Sequence, residues 1–276
     1  MRRRSETTNR ATDSRSNRHA GFLVTAGNLE TAIAEQRIAV HYQPKIFCAT
    51  GAIHSFEALA RWQHPDLGSI PPAQFIAFAE REGLIGRITD IVLANALEWI
   101  SSIQKDGWPK LCFNVSTAEI EGVGFVDGLT QRCSAAGVSA ESVVVEVTES
   151  RAFTHPLAAL EFMTQLRIKG FQVAIDDVGA GYASHARLAY LPFSYMKLDQ
   201  SFVKDVTTSA KARYVVEHLI ELGHKLDVQV VVEGVEDQEA MDIVAGLDCD
   251  VVQGFHIARP MEPQQAAAWF AANVRH

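Results

Sequence analysis

The chain has 276 residues and a net charge of −8 from 25 basic against 33 acidic residues, which excludes a body that coats nucleic acid. A hydrophobic share of 47% beside 21% charged residues permits a large core and excludes a mostly disordered chain. Its four cysteines, Cys48, Cys112, Cys133 and Cys249, form no CxxC pair, so neither a zinc ribbon nor a disulfide framework is expected and a reducing cytoplasm is the simplest home.

In chain order, residues 1–20 come first, with six Arg against Glu6 and Asp13 and almost nothing apolar. They read as a disordered basic tail, a solvated leader rather than a nucleic-acid arm, because no aromatic ring is interleaved for stacking. No apolar run approaches the roughly 18 to 20 residues of a membrane span, and no signal-peptide core follows the Arg-rich start. From residue 21 to 276 one domain is expected. Strands are predicted over 38–46 and 54–62, then helices over 72–82 and 88–103. Next come strand 111–115, helix 123–136, strand 143–148, helix 156–169 and strands 172–176 and 195–198. Helix 211–222, strand 228–232, helix 236–246 and strand 251–255 complete the pattern. Gly83, Gly137, Gly170, Gly223 and Gly246 stand where left-handed helix caps would fall. Eight strands alternating with helices predict an α/β fold of the (β/α)₈ barrel type, with an open doubly wound sheet as the runner-up.

Polar residues recur near the carboxyl ends of the apolar strands: Glu57, Asn114, Glu146, Asp176 with Asp177, Lys197 with Asp199, Glu233 and Gln253. In a parallel barrel these ends converge on one mouth. Any one of them is ordinarily the first solvated loop residue, but acids from so many strands would repel unless something positive held them. Oxygen-only donors without His or Cys favour hard ions such as Mg²⁺ or Mn²⁺. The adjacent Asp176 and Asp177 suit two ions about 4 Å apart, the spacing of two-metal phosphoryl-transfer sites. A lone aspartate pair would otherwise read as a turn or helix cap. Two metals and Lys197 point to hydrolysis of a phosphate ester, with Lys197 either steadying the attacking water or salt-bridging the acids. The stretch His64-Pro65-Asp66 reads as a turn, and Gly179-Ala180-Gly181 lacks the GxGxxG pattern of a phosphate cradle.

These residues lie in motifs that resemble the EAL domain family, whose members hydrolyse the bacterial messenger cyclic di-GMP to linear pGpG. The resemblance runs through YQPKI at 42–46, EALAR at 57–61, FIAFAEREGLI at 75–85, NVS at Asn114 and EVTES at Glu146. It continues through DDVGAGYAS at Asp176, KLDQSFV at Lys197, EGVE at Glu233 and QGF at Gln253. It implies a modified TIM barrel whose first strand runs antiparallel, a homodimer, and a two-metal site. Positions matching Glu57, Asn114, Glu146 and Asp176 hold one ion there, and those matching Asp176, Asp177 and Glu233 hold or approach the second. Lys197 matches the residue on the catalytic water, and Gln253 a support of the metal-water network. Arg61 matches a phosphate-binding arginine and Gln43 and Leu59 groove-lining positions. Asp199 and Glu236 resemble supporting residues at the edge of the substrate site, where a structural role is the favoured reading, and Glu149 matches the glutamate that anchors the loop after Asp177. That loop departs from the family pattern at Val178 and Ala183, which keeps open the alternative of a non-hydrolytic cyclic di-GMP receptor using the same groove.

Overall fold

Short apolar runs rich in Val and Ile pair into one sheet, and their parallel order follows from the helices between them. The computed structural model describes residues 23–105, 108–179 and 185–274. The strands are β1 (Ile38–Phe47), β2 (Ile53–His64), β3 (Gly68–Ile70), β4 (Lys110–Asn114), β5 (Val143–Thr148), β6 (Gln172–Val178), β7 (Tyr195–Leu198), β8 (Gln229–Val232) and β9 (Val251–Val252). The order β1-β9-β8-β7-β6-β5-β4-β2 closes because β2 also pairs with β1, giving an eight-stranded barrel with β3 added to β2 as a hairpin. Strand β1 is antiparallel to β9, with Ile46 opposite Val252 and Phe47 opposite Val251. The strands from β4 to β9 are parallel, and β2 is parallel to β4. The closed barrel with a reversed first strand is as expected, and the open sheet is not found.

The helices are α1 (Ala26–Ala34), α2 (Pro72–Arg81), α3 (Ile85–Ile103), α4 (Thr117–Glu121), α5 (Phe125–Ala136), α6 (Glu149–Thr154), α7 (Pro156–Ile168), α8 (Gln200–Val203), α9 (Ala210–Lys225), α10 (Gln238–Gly246) and α11 (Pro263–Asn273). Three predicted caps, Gly83, Gly137 and Gly170, have the positive φ of left-handed backbone. Gly223 instead lies inside α9, where an added Cβ would stand 2.3 Å from Val230 Cγ2, and Asp227 takes the left-handed position after the helix. No helix among the described residues is long and apolar enough to cross a membrane. The tail 1–20 and Ala183 lie outside the described residues.

The chain divides into two compact units. One holds the described residues up to Ala39 and Ala60–Ile88. Its α1 starts with a capping box in which Thr25 Oγ1 accepts from Asn28 N and Asn28 Oδ1 accepts from Thr25 N. Trp62, opposite Ile70 in the β2–β3 hairpin, packs edge-on against Phe75 of α2. His64 closes that hairpin, its Nδ1 accepting from Asp66 N, so the turn reading of His64-Pro65-Asp66 is correct.

The other unit, Val40–Leu59 with Thr89 onward, holds most of the barrel. Its interior carries an apolar layer of Cys112, Val144, Ala174, Tyr195, Val231 and Val251, one from each parallel strand β4 to β9, joined by Phe47 of β1. The predicted last strand stops at Val252 because the backbone then crosses Val235, whose carbonyl accepts from His256 N. A Cβ on Gly254 would lie 1.9 Å from that carbonyl oxygen. Gly254→Ala is therefore expected to lower the melting temperature by more than about 5 °C, whereas Gly27→Ala, on the open face of α1, leaves it within about 2 °C. Thermal melts of the two variants check this. A cost-free Gly254→Ala would show that the crossing relaxes.

Candidate active site

Side chains on a strand alternate between faces with a period of two. Two residues beyond Cys112, Val144, Ala174, Tyr195, Val231 and Val251 therefore stand Asn114, Glu146, Asp176, Lys197, Glu233 and Gln253, one layer nearer the carboxyl ends. Glu57 stands in the same way two beyond the buried Ser55. On β1, which runs the other way, the equivalent step is backwards from Phe47 and gives Lys45, then Gln43. Lys45 was absent from the sequence expectations.

Two ammonium groups hold this layer together. Lys197 Nζ is 2.7 Å from Glu146 Oε2, 2.9 Å from Asp176 Oδ2, 2.9 Å from Glu233 Oε1 and 3.7 Å from Glu57 Oε2. Lys45 Nζ is 2.5 Å from Glu146 Oε1 and 3.4 Å from Glu57 Oε2. Both lysines are 1% exposed. Asn114 Nδ2 donates to Glu57 at 3.0 Å and, at 3.4 Å, to Glu146. Gln253 Nε2 donates to Glu57 at 2.9 Å and to Gln43 at 3.2 Å. A cavity of about 200 Å³ opens over the layer, lined by Gln43, Glu57, Leu59, Asp176, Lys197, Glu233, Glu236 and Gln253 among others.

Part of the positive charge that the crowd of acids requires comes from the chain itself. Lys45 and Lys197 supply positive charge from within the chain, and Lys197 takes the salt-bridging role. Accordingly, no three His, Cys, Asp or Glu side chains among the described residues form a ready-made metal cage. The compensation is incomplete, because four carboxylates share two ammoniums and Asp177 adds a fifth nearby. The consequence shows in the acidities. Burial pushes the Glu233 carboxyl up to about 8, with Lys197 opposing and Asp176 and Glu57 assisting. Burial together with Asp176 and Asp199 pushes Asp177 up to about 6. Glu146 is also raised, by burial and by Glu57. Glu57 alone goes down: burial opposes, but Lys197, Lys45 and the Gln253 amide outweigh it. The donors that remain are all oxygens, and the buried Gln253 Oε1 has no hydrogen-bond partner. Excess negative charge, hard donors and an unsatisfied acceptor fit divalent ions of the Mg²⁺ or Mn²⁺ kind.

A carboxyl whose folded pKa is raised stabilises the fold below its unfolded value, and that contribution is lost as pH climbs through the folded value. Without divalent ions the protein is therefore expected to lose stability between about pH 4.5 and 8 on account of Glu233. Adding Mn²⁺ should reverse the loss and, at pH 7, release protons. Denaturation series and calorimetry in buffers of different ionisation enthalpy measure both; metal binding with no proton release would contradict the assignment.

The remaining candidates divide. Asp176 and Asp177 are adjacent, so strict alternation would place them on opposite faces. The β6–β7 register shifts between Ile175 and Val178, Asp177 has φ +58°, and its N–H donates to Asp176 Oδ1 at 2.8 Å. Glu149 Oε2 accepts from Gly179 N at 2.9 Å, and Val178 is buried opposite Leu198. Asp199 caps α8, accepting from Ser201 N at 2.9 Å, a local structural duty. Glu236 lines the cavity and is exposed. Arg61 belongs to the first unit, where its Nη1 donates to the Ala60 carbonyl at 2.8 Å.

The sequence matches the EAL domain family over residues 26–260. It is 33% identical over 245 residues to the bifunctional diguanylate cyclase/cyclic di-GMP phosphodiesterase MucR of Pseudomonas aeruginosa, covering 87% of this chain and 36% of that protein. It is 34% identical over 225 residues to the cyclic di-GMP phosphodiesterase RocR of the same organism, covering 81% of this chain and 57% of that protein. The solved structure of the PaMucR phosphodiesterase in complex with c-di-GMP superposes with a TM-score of 0.83 at 32% identity, covering 87% of this chain and 98% of that one. The chain spans about a third of the length of most of the curated relatives it matches.

Proposed function

This chain belongs to the EAL domain family, and on that premise we propose that it hydrolyses cyclic di-GMP to linear pGpG using two divalent ions, Mg²⁺ or Mn²⁺. The observation that carries the reading is the convergence of Glu57, Glu146, Asp176, Lys197 and Glu233, each from a different strand or strand end, within one ion-pair network open to a cavity. Bound ions supply phosphate neutralisation and a water acidic enough to act at neutral pH. In this reading Glu57, Asn114, Glu146 and Asp176 would hold one ion, and Asp176, Asp177 and Glu233 would hold or approach the other. Lys197 keeps three carboxylates in register and faces the charge that develops on the phosphate. Gln253 fixes Glu57 through its amide nitrogen and leaves its oxygen to accept from water. Arg61 supplies a planar fork for phosphate oxygens, and Gln43, Leu59, Asp199 and Glu236 border the nucleotide. Glu149 fixes the loop after the aspartate pair through Gly179 N.

The proposal extends to a cytoplasmic homodimer in which residues 21–276 form the phosphodiesterase domain. Incubation of purified protein with cyclic di-GMP and Mg²⁺ or Mn²⁺ is expected to yield pGpG, with Glu57→Ala abolishing it. Binding of cyclic di-GMP without pGpG under both metals would leave the receptor reading in its place.

A further inference from the structure

We propose that Cys48 and Cys249 form a peroxide-oxidisable thiol pair that closes to a reversible disulfide across the β1–β9 seam. The site lies at the far end of the barrel from Glu57 and Lys197, beside the apolar layer rather than the polar one. Strand β1 ends at Phe47 opposite Val251, and the next residue, Cys48, continues the ladder by donating its N–H to Asp250 O at 2.9 Å. Cys249 immediately precedes Asp250, so the chain brings the two cysteines together where this antiparallel ladder ends. Their side chains are hydrogen-bonded to each other. Cys249 is buried and its Sγ also lies 3.1 Å from Val251 O, whereas Cys48 is half-exposed and open to a small oxidant.

The pair is asymmetric in the way thiol oxidation requires. The Cys249 hydrogen bond lowers the Cys48 thiol below its ordinary value, with burial, Asp250 and Asp248 opposing, while the same bond raises Cys249. The other two cysteines are held as inert thiols, Cys112 pushed up to about 11 and Cys133 to about 12, in both cases by burial. Cys48 thiolate attacks one oxygen of hydrogen peroxide, forming an S–O bond and breaking O–O; the leaving hydroxide takes a proton to become water. Cys249 sulfur, losing its proton, then attacks the Cys48 sulfenic sulfur, forming S–S and expelling a second water. Two thiols lose two hydrogens and two electrons, and the peroxide takes both. A reducing dithiol returns the pair.

The experiment treats the reduced full chain with a few equivalents of hydrogen peroxide, blocks free thiols with iodoacetamide under denaturing conditions and maps peptides by mass spectrometry. The expected result is a Cys48–Cys249 linked peptide about 2 Da lighter than the two thiol peptides, reversed by dithiothreitol, with Cys112 and Cys133 alkylated. The linkage should form at least about tenfold faster than modification of Cys112 or Cys133 in the folded chain. Cys249→Ser should convert the product to a dimedone-reactive sulfenic acid on Cys48, which reports the first step independently of the cross-link. A wild-type chain whose Cys48 and Cys249 are both alkylated after peroxide, or one that carries a lasting dimedone adduct on Cys48, overturns the proposal.

Discussion

Asp176→Asn is expected to lower metal-saturated turnover of cyclic di-GMP by at least about a thousandfold, and by more than Lys197→Ala. The substitution keeps size and shape, and an amide oxygen still accepts the N–H of Asp177, as Asp176 Oδ1 does at 2.8 Å. What disappears is an anionic donor at the one position proposed to serve both ions. For Lys197, bound cations would replace much of what its ammonium does for Glu146 and Glu233. Quantifying pGpG under saturating Mg²⁺ and Mn²⁺ ranks the two variants, and the reverse ranking would contradict the placement of Asp176 between the ions.

Lys45→Met is expected to destabilise the metal-free protein by about 3 kcal/mol, because it leaves the buried Glu57 and Glu146 with Lys197 as their one remaining ammonium among the described contacts. Methionine keeps the unbranched stem, so packing is nearly conserved and the charge is what is tested. Glu146, 1% exposed, loses an ammonium at 2.5 Å, and Glu57 loses one at 3.4 Å. The double variant Lys45→Met/Glu146→Gln should recover a large part of the loss, since it removes the stranded charge as well. Urea denaturation in the presence of a chelator measures both; a single variant within about 1 kcal/mol of wild type would show that Lys45 is dispensable.

The β/α alternation and the strand-end position of Glu57, Glu146, Lys197 and Glu233 were legible because period-two patterning in parallel strands is a local property of the chain. Lys45 was not, since a rule that looks at carboxyl ends finds the wrong end of a strand that runs backwards, and direction is decided by pairing with β9. The β6 irregularity at Asp177 was equally hidden, because its positive φ belongs to a non-glycine residue. The short helix α4 was within reach: Ser116 and Glu119 form a capping box, an S-x-x-E spacing readable before any coordinates. Asp199, at the end of β7, caps α8 through the Ser201 amide.

The apolar layer formed by Cys112, Val144, Ala174, Tyr195, Val231, Val251 and Phe47 stoppers the barrel beneath the acids. A molecule in the cavity above it has no route down through those side chains. In the proposed reaction, product would leave and substrate would enter on the mouth side of the barrel.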